Sequence, residues 1–418
     1  MLAYSEALAR ILSAAQDLPL NSERVLLEDC PGRVLAESIS SPENIPAFDN
    51  SAMDGFAVRA QDTINADAIK PVELQVVRMV AAGDSINGIQ AASGVCCEIM
   101  TGAPIPQGFD AIVKVEDAIR EKGSDRVKIQ RAASAGDHVR RAGEDFSIGT
   151  QVLASGTLLR PRHLLPLAAM GLTGFNVIKK PTVAVIPTGT ELVDVNCKLL
   201  APSQIRNSTA SFLQAELEAL GCEVRVHGII RDNSAEFRGL LERILRENAP
   251  DIILTTGAVS MGKFDFIRPA LEEMQASICF HKVAIRPGKP LLFADFKKLG
   301  KRTVLFGLPG NPVSTAVGVR FFVQPFLKAI SQRAPEGALQ AVLLEPVSKP
   351  EGLTCFFKAR VLVDSQGQLG VSILQGQASF RVGPLAEANA WAVLPSAAQE
   401  LQKGAMISCH LIGSFFNE

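Results

Sequence analysis

The chain has 418 residues, 47% of them apolar and 20% charged, which is material for large cores and about three domains at roughly 150 residues each. Basic and acidic residues nearly cancel, 42 against 43; this excludes the broad basic face of a nucleic-acid binder but leaves room for a local anion site. Eight cysteines and five histidines are scattered with no CxxC and no zinc-type spacing, so buried reduced thiols are expected.

The opening stretch, MLAYSEALARILSAAQ, has neither the basic n-region nor the apolar h-region of a signal peptide. No uninterrupted apolar run approaches the ~20 residues of a membrane span, so a cytoplasmic protein without membrane contact is expected. Ser5 is placed to cap a helix whose Leu8, Ile11, Leu12 and Ala15 share one face. From about 25 to 155, glycines, prolines and short β-branched stretches alternate, and strands are expected at 72–77, 111–115 and 126–129. Residues 160–178 read as a helix around Leu164, Leu165, Leu167 and Ala168, ended by Gly171 and Gly174.

From Pro181 to about Ile330 strand and helix patterns alternate. Apolar runs at 182–186, 222–230, 251–256 and 303–308 suit strands buried on both faces. Between them, one helix runs from about Ser208, with Phe212, Leu213, Leu217 and Leu220 inward and Gly221 as its stop. Another carries Phe237, Leu240, Leu241, Ile244 and Leu245 on one face. This alternation predicts a parallel α/β sheet with right-handed crossovers. After Arg333 short strands return, at 341–344, 356–363, 369–374, 390–394 and 406–411, as in a small β-barrel or sandwich.

Open parallel sheets bind ligands at the carboxyl ends of their strands. Those ends read PTGTEL (187–192), RDN (231–233), TTGAVSMG (255–262) and GLPGNPVS (307–314), all glycine, small hydroxyl or acidic residues. Small residues let backbone N–H groups approach a phosphate closely. Glu191, Asp232 and Asp265 lie just beyond three of the ends and could together hold Mg²⁺; singly, each also reads as a solvated loop acid. Asn311 at N-cap and Pro312 at N1 start a helix whose free N–H groups suit an anion. Arg286 and Lys289 flank a Pro-Gly bend, an arrangement suited to an oxyanion and also found in plain surface turns. Three earlier loops, FDNSAMDGFAVR with Asp54, IMTGAPIP with Thr101 and VRRAGEDFSIG with Asp145, join polar residues to forced turns. Their spacing leaves open whether they face the sheet edge.

Taken in order over about 40–320, these loops together with LGCEVRVHGIIRDN, TTGAVSMGKFD and VAIRPGKP resemble the molybdopterin molybdenumtransferase family, related to the E domain of gephyrin. The resemblance implies a multi-domain α/β and β fold. Its parts would be a helical linker domain (1–25 plus 150–178), a β-rich insertion domain (26–149), a parallel α/β molybdopterin-binding domain (179–332) and a C-terminal β-barrel domain (333–418). It implies an elongated homodimer whose active site lies between the α/β domain of one subunit and the insertion of its mate. The implied reaction is Mg²⁺-dependent insertion of molybdate into adenylyl-molybdopterin, with AMP leaving. The adenylyltransferase and molybdoenzyme acceptors are the further partners it suggests.

Residue by residue, Asp54, Thr101, Asp145, Glu191, Asp232 and Asp265 fall on the family's functional polar positions, the last three as metal ligands, and Pro309 and Pro312 fall on its PGNP loop. Ser260, Arg286, Lys289, Gly310, Asn311, Ser314, Lys358 and Ser379 are the other expected substrate contacts. The chain departs from the family pattern at several points. Thr190 stands in the usual TGDEL, Ala258 breaks a glycine pair, and Arg268 and Arg286 stand where lysines are usual. An Arg-x-Glu-Phe-x-Arg-like stretch reads LTCFFK at 353–358. The QGS motif reads Gln375, Gly376, Gln377, with Ser379 displaced. These departures motivate a second reading, a catalytically weakened paralogue acting as a pterin- or partner-binding scaffold. The clustered strand-end acids weigh against it, because a scaffold has no need of them.

Overall fold

The computed structural model describes residues 1–259, 266–297 and 302–413. Its centre is a six-stranded sheet in the order Glu223–Val226, Thr182–Pro187, Ile252–Thr256, Thr303–Leu308, Leu292–Phe296, Ser277–His281. The first four strands run parallel, three of them buried on both faces as expected; Glu223–Val226 is instead a largely exposed edge strand, its Glu and Arg alternating with valines, and the last two strands add an antiparallel hairpin at the other edge. The run expected as a strand to residue 230 stops at Val226; beyond it only Ile230 returns, in an isolated bridge to Thr188.

Side chains alternate between the two faces of the sheet. Val183, Val185, Ile252 and Leu254 enter one core with Leu213, Leu217, Phe322 and Phe326, whereas Ala184, Ile186 and Ile253 enter the other with Phe237, Leu241, Ile267 and Leu271. Helix Ser208–Ala219 starts where the Asn207 side chain accepts from the Ala210 N–H, and it stops before Gly221, whose φ is +90°. Helix Ser234–Asn248 is capped by Asn233 in the same way.

A long helical stretch, Pro312–Ile330, is 78% buried over its most apolar window; its length and hydropathy would also suit a membrane span, but its side chains form core. It contains a π-turn at Val319–Val323, which ends two residues before Pro325. Proline has no N–H to continue the i→i−4 ladder, which gives the ladder a reason to widen there. The stretch ties the centre to the C-terminal region: Phe326 packs on Phe293 and Phe306, while Phe321 stacks on Phe356 at 4.1 Å.

The C-terminal strands Thr354–Val363, Leu369–Ile373, Leu339–Leu343, Met406–Leu411 and Ala390–Leu394 close into a barrel through pairing of the first with the last. Ile285–Arg286 from the central region lies along the first. The β-rich region carries its own six-stranded sheet, Ala111–Lys114, Gly55–Val58, Val95–Ile99, Val72–Val80, Arg126–Ile129 and Ala118–Ile119, with a separate core on each face.

The helix expected over 160–178 is shorter, Pro161–Ala169; Gly171 at φ +68° turns the chain, and Gly174–Ile178 is a strand paired with Ser22–Leu26 and Val34–Leu35. Ser5 does not cap the first helix. Ala3 takes that position and the helix is Tyr4–Gln16, whose Ala7, Ile11, Ala14 and Ala15 pack into the central core beside Phe322 and Ile330 and not onto the small sheet.

Candidate functional site

The loops that follow the four parallel strands meet around a cleft of about 220 Å³, lined among others by Thr188, Gly189, Glu191, Asp232, Thr256, Gly257, Ala258 and Gly310. The strand-end loops are tied to one another: Thr188 N–H donates to Thr256 O at 2.9 Å, Gly189 N–H to Ile230 O at 3.0 Å, and Gly257 N–H to Leu308 O at 2.9 Å. Glycine is required at position 257, where a Cβ at φ +92° would lie 2.6 Å from the Thr188 carbonyl oxygen; at Gly189 the backbone φ of +151° favours glycine, and a Cβ would lie 2.8 Å from a carboxylate oxygen of the Glu191 side chain. Glu191 therefore folds back over its own turn.

Asp232, on the neighbouring loop, is oriented by Thr190. The Thr190 Oγ1 donates to Asp232 Oδ2 at 3.0 Å and accepts from the Asp232 N–H at 3.3 Å. Both carboxylates are exposed at the mouth of the cleft. Its floor is different. Thr256, 1% exposed, has a hydroxyl with no hydrogen-bond partner among the described residues, as has the neighbouring Thr255. Leaving a buried hydroxyl unmatched costs about 1–3 kcal/mol, so a polar ligand atom at the cleft would relieve strain already present.

Glu191 and Asp232, two of the three expected metal ligands, both line this cleft. Asp265, the third expected metal ligand, and Ser260 lie outside the described residues. Among the described residues no group of three or more His, Cys, Asp or Glu side chains could cage a metal ion. Two carboxylates and a hydroxyl form an all-oxygen set, suited to a hard cation that takes the rest of its shell from phosphate oxygens and water.

Pro309 and Gly310 lead from the fourth strand into the Pro312 helix, with Gly310 at the cleft wall. Asn311 is the N-cap residue, but its side chain makes no cap bond. The Ser379 carbonyl takes the Val313 N–H instead, at 3.1 Å, and Thr315 Oγ1 donates to Pro309 O at 2.7 Å. Ser314 is buried beside the Arg286–Lys289 turn: a Cβ on Gly288 would lie 3.8 Å from its carbonyl oxygen. Arg286 and Lys289 are both exposed on this turn, which lies next to the helix start.

Lys358 corrects the sequence expectation of a substrate contact. It is fully buried, and its ammonium donates to Gly376 O and Arg381 O at 2.9 Å each. Burial and the nearby Arg381 charge push its pKa down. Gln377 braces the same loop from the Lys358 backbone, accepting from its N–H and donating to its carbonyl. Lys358 holds loop 375–381, and that loop sets the Ser379 carbonyl on the helix start.

The N-terminal polar residues form a separate cluster. Asp54 Oδ1 accepts from the Thr101 N–H at 2.7 Å and from Thr101 Oγ1 at 2.8 Å, and these bonds hold its pKa below the usual carboxylate value. Asp145 is exposed, with its N–H on Ile45 O. Asp49 binds the Arg141 guanidinium at 2.6 Å and the Ala142 N–H at 2.8 Å. None of Asp54, Thr101 and Asp145 lines the Glu191–Asp232 cleft. Sequence reasoning missed Thr256 as a floor residue and noted Thr190 only as a departure. The run of threonines at 188, 190, 255 and 256 was the available signal.

Comparison with known proteins is consistent along the whole chain. Residues 2–171 match the MoeA N-terminal region (domain I and II), 184–329 a probable molybdopterin binding domain, and 340–412 the MoeA C-terminal region (domain IV). A molybdopterin molybdenumtransferase of Synechococcus elongatus is 41% identical over 404 residues, covering 97% of this chain and 98% of that protein. One of Bacillus subtilis is 35% identical, covering 94% and 90%. The crystal structure of a molybdopterin biosynthesis MoeA protein from Pyrococcus horikoshii superposes with a TM-score of 0.83 at 28% identity, covering 99% of this chain and all of that one.

Proposed function

The chain belongs to the molybdopterin molybdenumtransferase family and is an enzyme of molybdenum cofactor biosynthesis, and from that premise we propose that its cleft carries out the Mg²⁺-dependent insertion of molybdate into adenylyl-molybdopterin, with AMP leaving. The observation that carries this reading is the meeting, in one glycine-lined cleft, of Glu191, Asp232 and a Thr256 hydroxyl that has no partner among the described residues.

Glu191 and Asp232 are the residues that would hold Mg²⁺, with Asp265 as the third ligand the sequence suggests. When bound, the ion supplies charge neutralisation as the phosphoanhydride breaks. Gly189, Gly257 and Gly310 keep the cleft wall free of side chains so that the substrate can lie close against the backbone, and the Thr256 hydroxyl fixes a polar atom of it. Arg286 and Lys289, exposed beside the Pro312 helix start, attract the molybdate dianion and orient it by fork and point charge. Asp54, Thr101 and Asp145 complete the site from a second copy of the chain.

The test is AMP release from adenylyl-molybdopterin in the presence of Mg²⁺ and molybdate. Asp232→Asn is expected to lower the rate at least about tenfold, the lower end of what loss of a metal-orienting group removes. An unchanged rate would overturn the metal assignment, and a wild-type chain that releases no AMP would overturn the activity itself.

A further inference from the structure

Thr190 and Asp232 lie 42 positions apart in sequence, on different crossover loops, and close a reciprocal pair. One hydroxyl does two jobs. Its proton goes to Asp232 Oδ2 at 3.0 Å, and its lone pair receives the Asp232 N–H at 3.3 Å. The Thr190 N–H leans on the same Oδ2 at 3.4 Å. Among the described residues Oδ1 has no partner, although Asp232 lines the cleft.

Both residues are exposed, so packing does not fix the carboxylate. An exposed aspartate otherwise samples its rotamers freely. Threonine is β-branched and stiff at χ1, which makes it a better clasp than an unbranched hydroxyl-bearing chain. The same loop continues into Glu191, so a single turn orients one carboxylate and carries the other.

We infer that Thr190 is a positioning residue: its hydroxyl anchors Asp232 through Oδ2, leaving Oδ1 turned toward the cleft as the oxygen that meets the cation. The inference rests on the proposed metal-assisted reading of the site. Thr190 touches no reacting atom and acts through Asp232.

Mn²⁺ serves as the probe, with free Mn²⁺ measured by electron paramagnetic resonance during titration of the full-length chain with AMP present. Thr190→Val keeps the shape and removes the hydroxyl, while Thr190→Ser keeps the hydroxyl. Removing an outer partner of a metal ligand typically weakens affinity about 10- to 100-fold, so Thr190→Val is expected to lose that much and Thr190→Ser to stay near wild type. Thermal unfolding should be the same in all three, and Thr190→Ala replaces the valine variant if that one does not fold. Equal affinity of Thr190→Val and wild type overturns the inference, as does a serine variant as weak as the valine one. Failure of the wild-type chain to bind Mn²⁺ is a different outcome: it removes the metal reading as well.

Discussion

Ala258 holds a left-handed backbone, φ +50°, in the loop between Gly257 and Val259 that lines the cleft. A residue with a Cβ pays about 1–2 kcal/mol for that conformation. Replacing it with glycine removes the clash but returns freedom to the unfolded chain, at about 0.4–1 kcal/mol. The difference predicts that Ala258→Gly stabilises the central region by roughly 0.5–1 kcal/mol. Gly257→Ala next door has the opposite sign. It would add a Cβ at φ +92° and 2.6 Å from the Thr188 carbonyl oxygen, so the loop must shift. That variant is expected to lose about 2 kcal/mol or more, strain and clash acting together. A calorimetric melt measures both, with hydrogen exchange over Ile252–Thr256 identifying which transition reports the central sheet. A 1 kcal/mol change corresponds to about 2–4 °C for a unit of this size. If Ala258→Gly melts lower than wild type, or Gly257→Ala melts the same, the argument from backbone strain at this loop is wrong.

Glu336 gives a pH dependence. Burial raises its carboxyl, but the bonds from Arg320 at 2.5 Å and Lys328 at 2.7 Å outweigh that and hold it at about 2, against 4.5 when free. A depressed carboxyl contributes stability that is complete above about pH 4.5 and is lost as pH falls toward 2, here about 1–2 kcal/mol after allowing for its partial exposure. Glu336→Gln should flatten the acid limb of a melting-temperature profile over that window, and an unchanged limb would remove the assignment. Lys358→Met leaves the Gly376 and Arg381 carbonyls without their ammonium donor, so loop 375–381 should exchange amide hydrogens faster and stability should drop by roughly 2 kcal/mol. Identical exchange in that loop would refute its anchoring. Thr101→Val should raise the Asp54 pKa toward the ordinary carboxylate value, read by carbon-13 NMR of the carboxyl, because both bonds that depress it come from Thr101 and one is removed.

What the sequence made legible follows from which forces are local. The runs 182–186, 251–256 and 303–308 are dominated by Val, Ile and Leu, with threonines or an aspartate only toward their ends, and a strand buried on both faces is their economical use. Once they form a parallel sheet, the loops carrying Glu191 and Asp232 must emerge at one edge, so that half of the site was readable in advance. The hairpin Ser277–His281 with Leu292–Phe296 was not, because its outer strand is only half-buried and mixes Ser, Cys and His with its apolar residues. The stretch 174–178 looked like the tail of a helix, yet its partner Ser22–Leu26 lies some 150 positions upstream, beyond any periodicity argument. Lys358 shows the limit most clearly. Charge and motif position suggested an anion contact, whereas two carbonyls of a loop folded against it decide where its ammonium goes. The Thr190–Asp232 clasp and the unmatched Thr256 hydroxyl are of the same kind, since hydrogen-bond satisfaction depends on groups far apart in the chain.

The cleft at Glu191 and Asp232, about 220 Å³, is smaller than the several hundred cubic ångströms that usually enclose a ligand the size of an adenylylated pterin. Its exposed carboxylates leave one side open, and the Asp54–Thr101 pair, the other polar cluster the sequence singled out, does not line it. A site completed by a second copy accounts for both facts, and mixed oligomers test it. Asp54→Asn and Asp232→Asn are each expected to keep a tenth or less of wild-type activity, about tenfold down or more, when alone. Mixed and reassembled, a dimer with one of each would hold one site with both aspartates intact and one with both lost. At equal input half the dimers are mixed, so about a quarter of wild-type AMP release should return. A site confined to one chain would carry one defect or the other in every copy, and mixing would restore nothing.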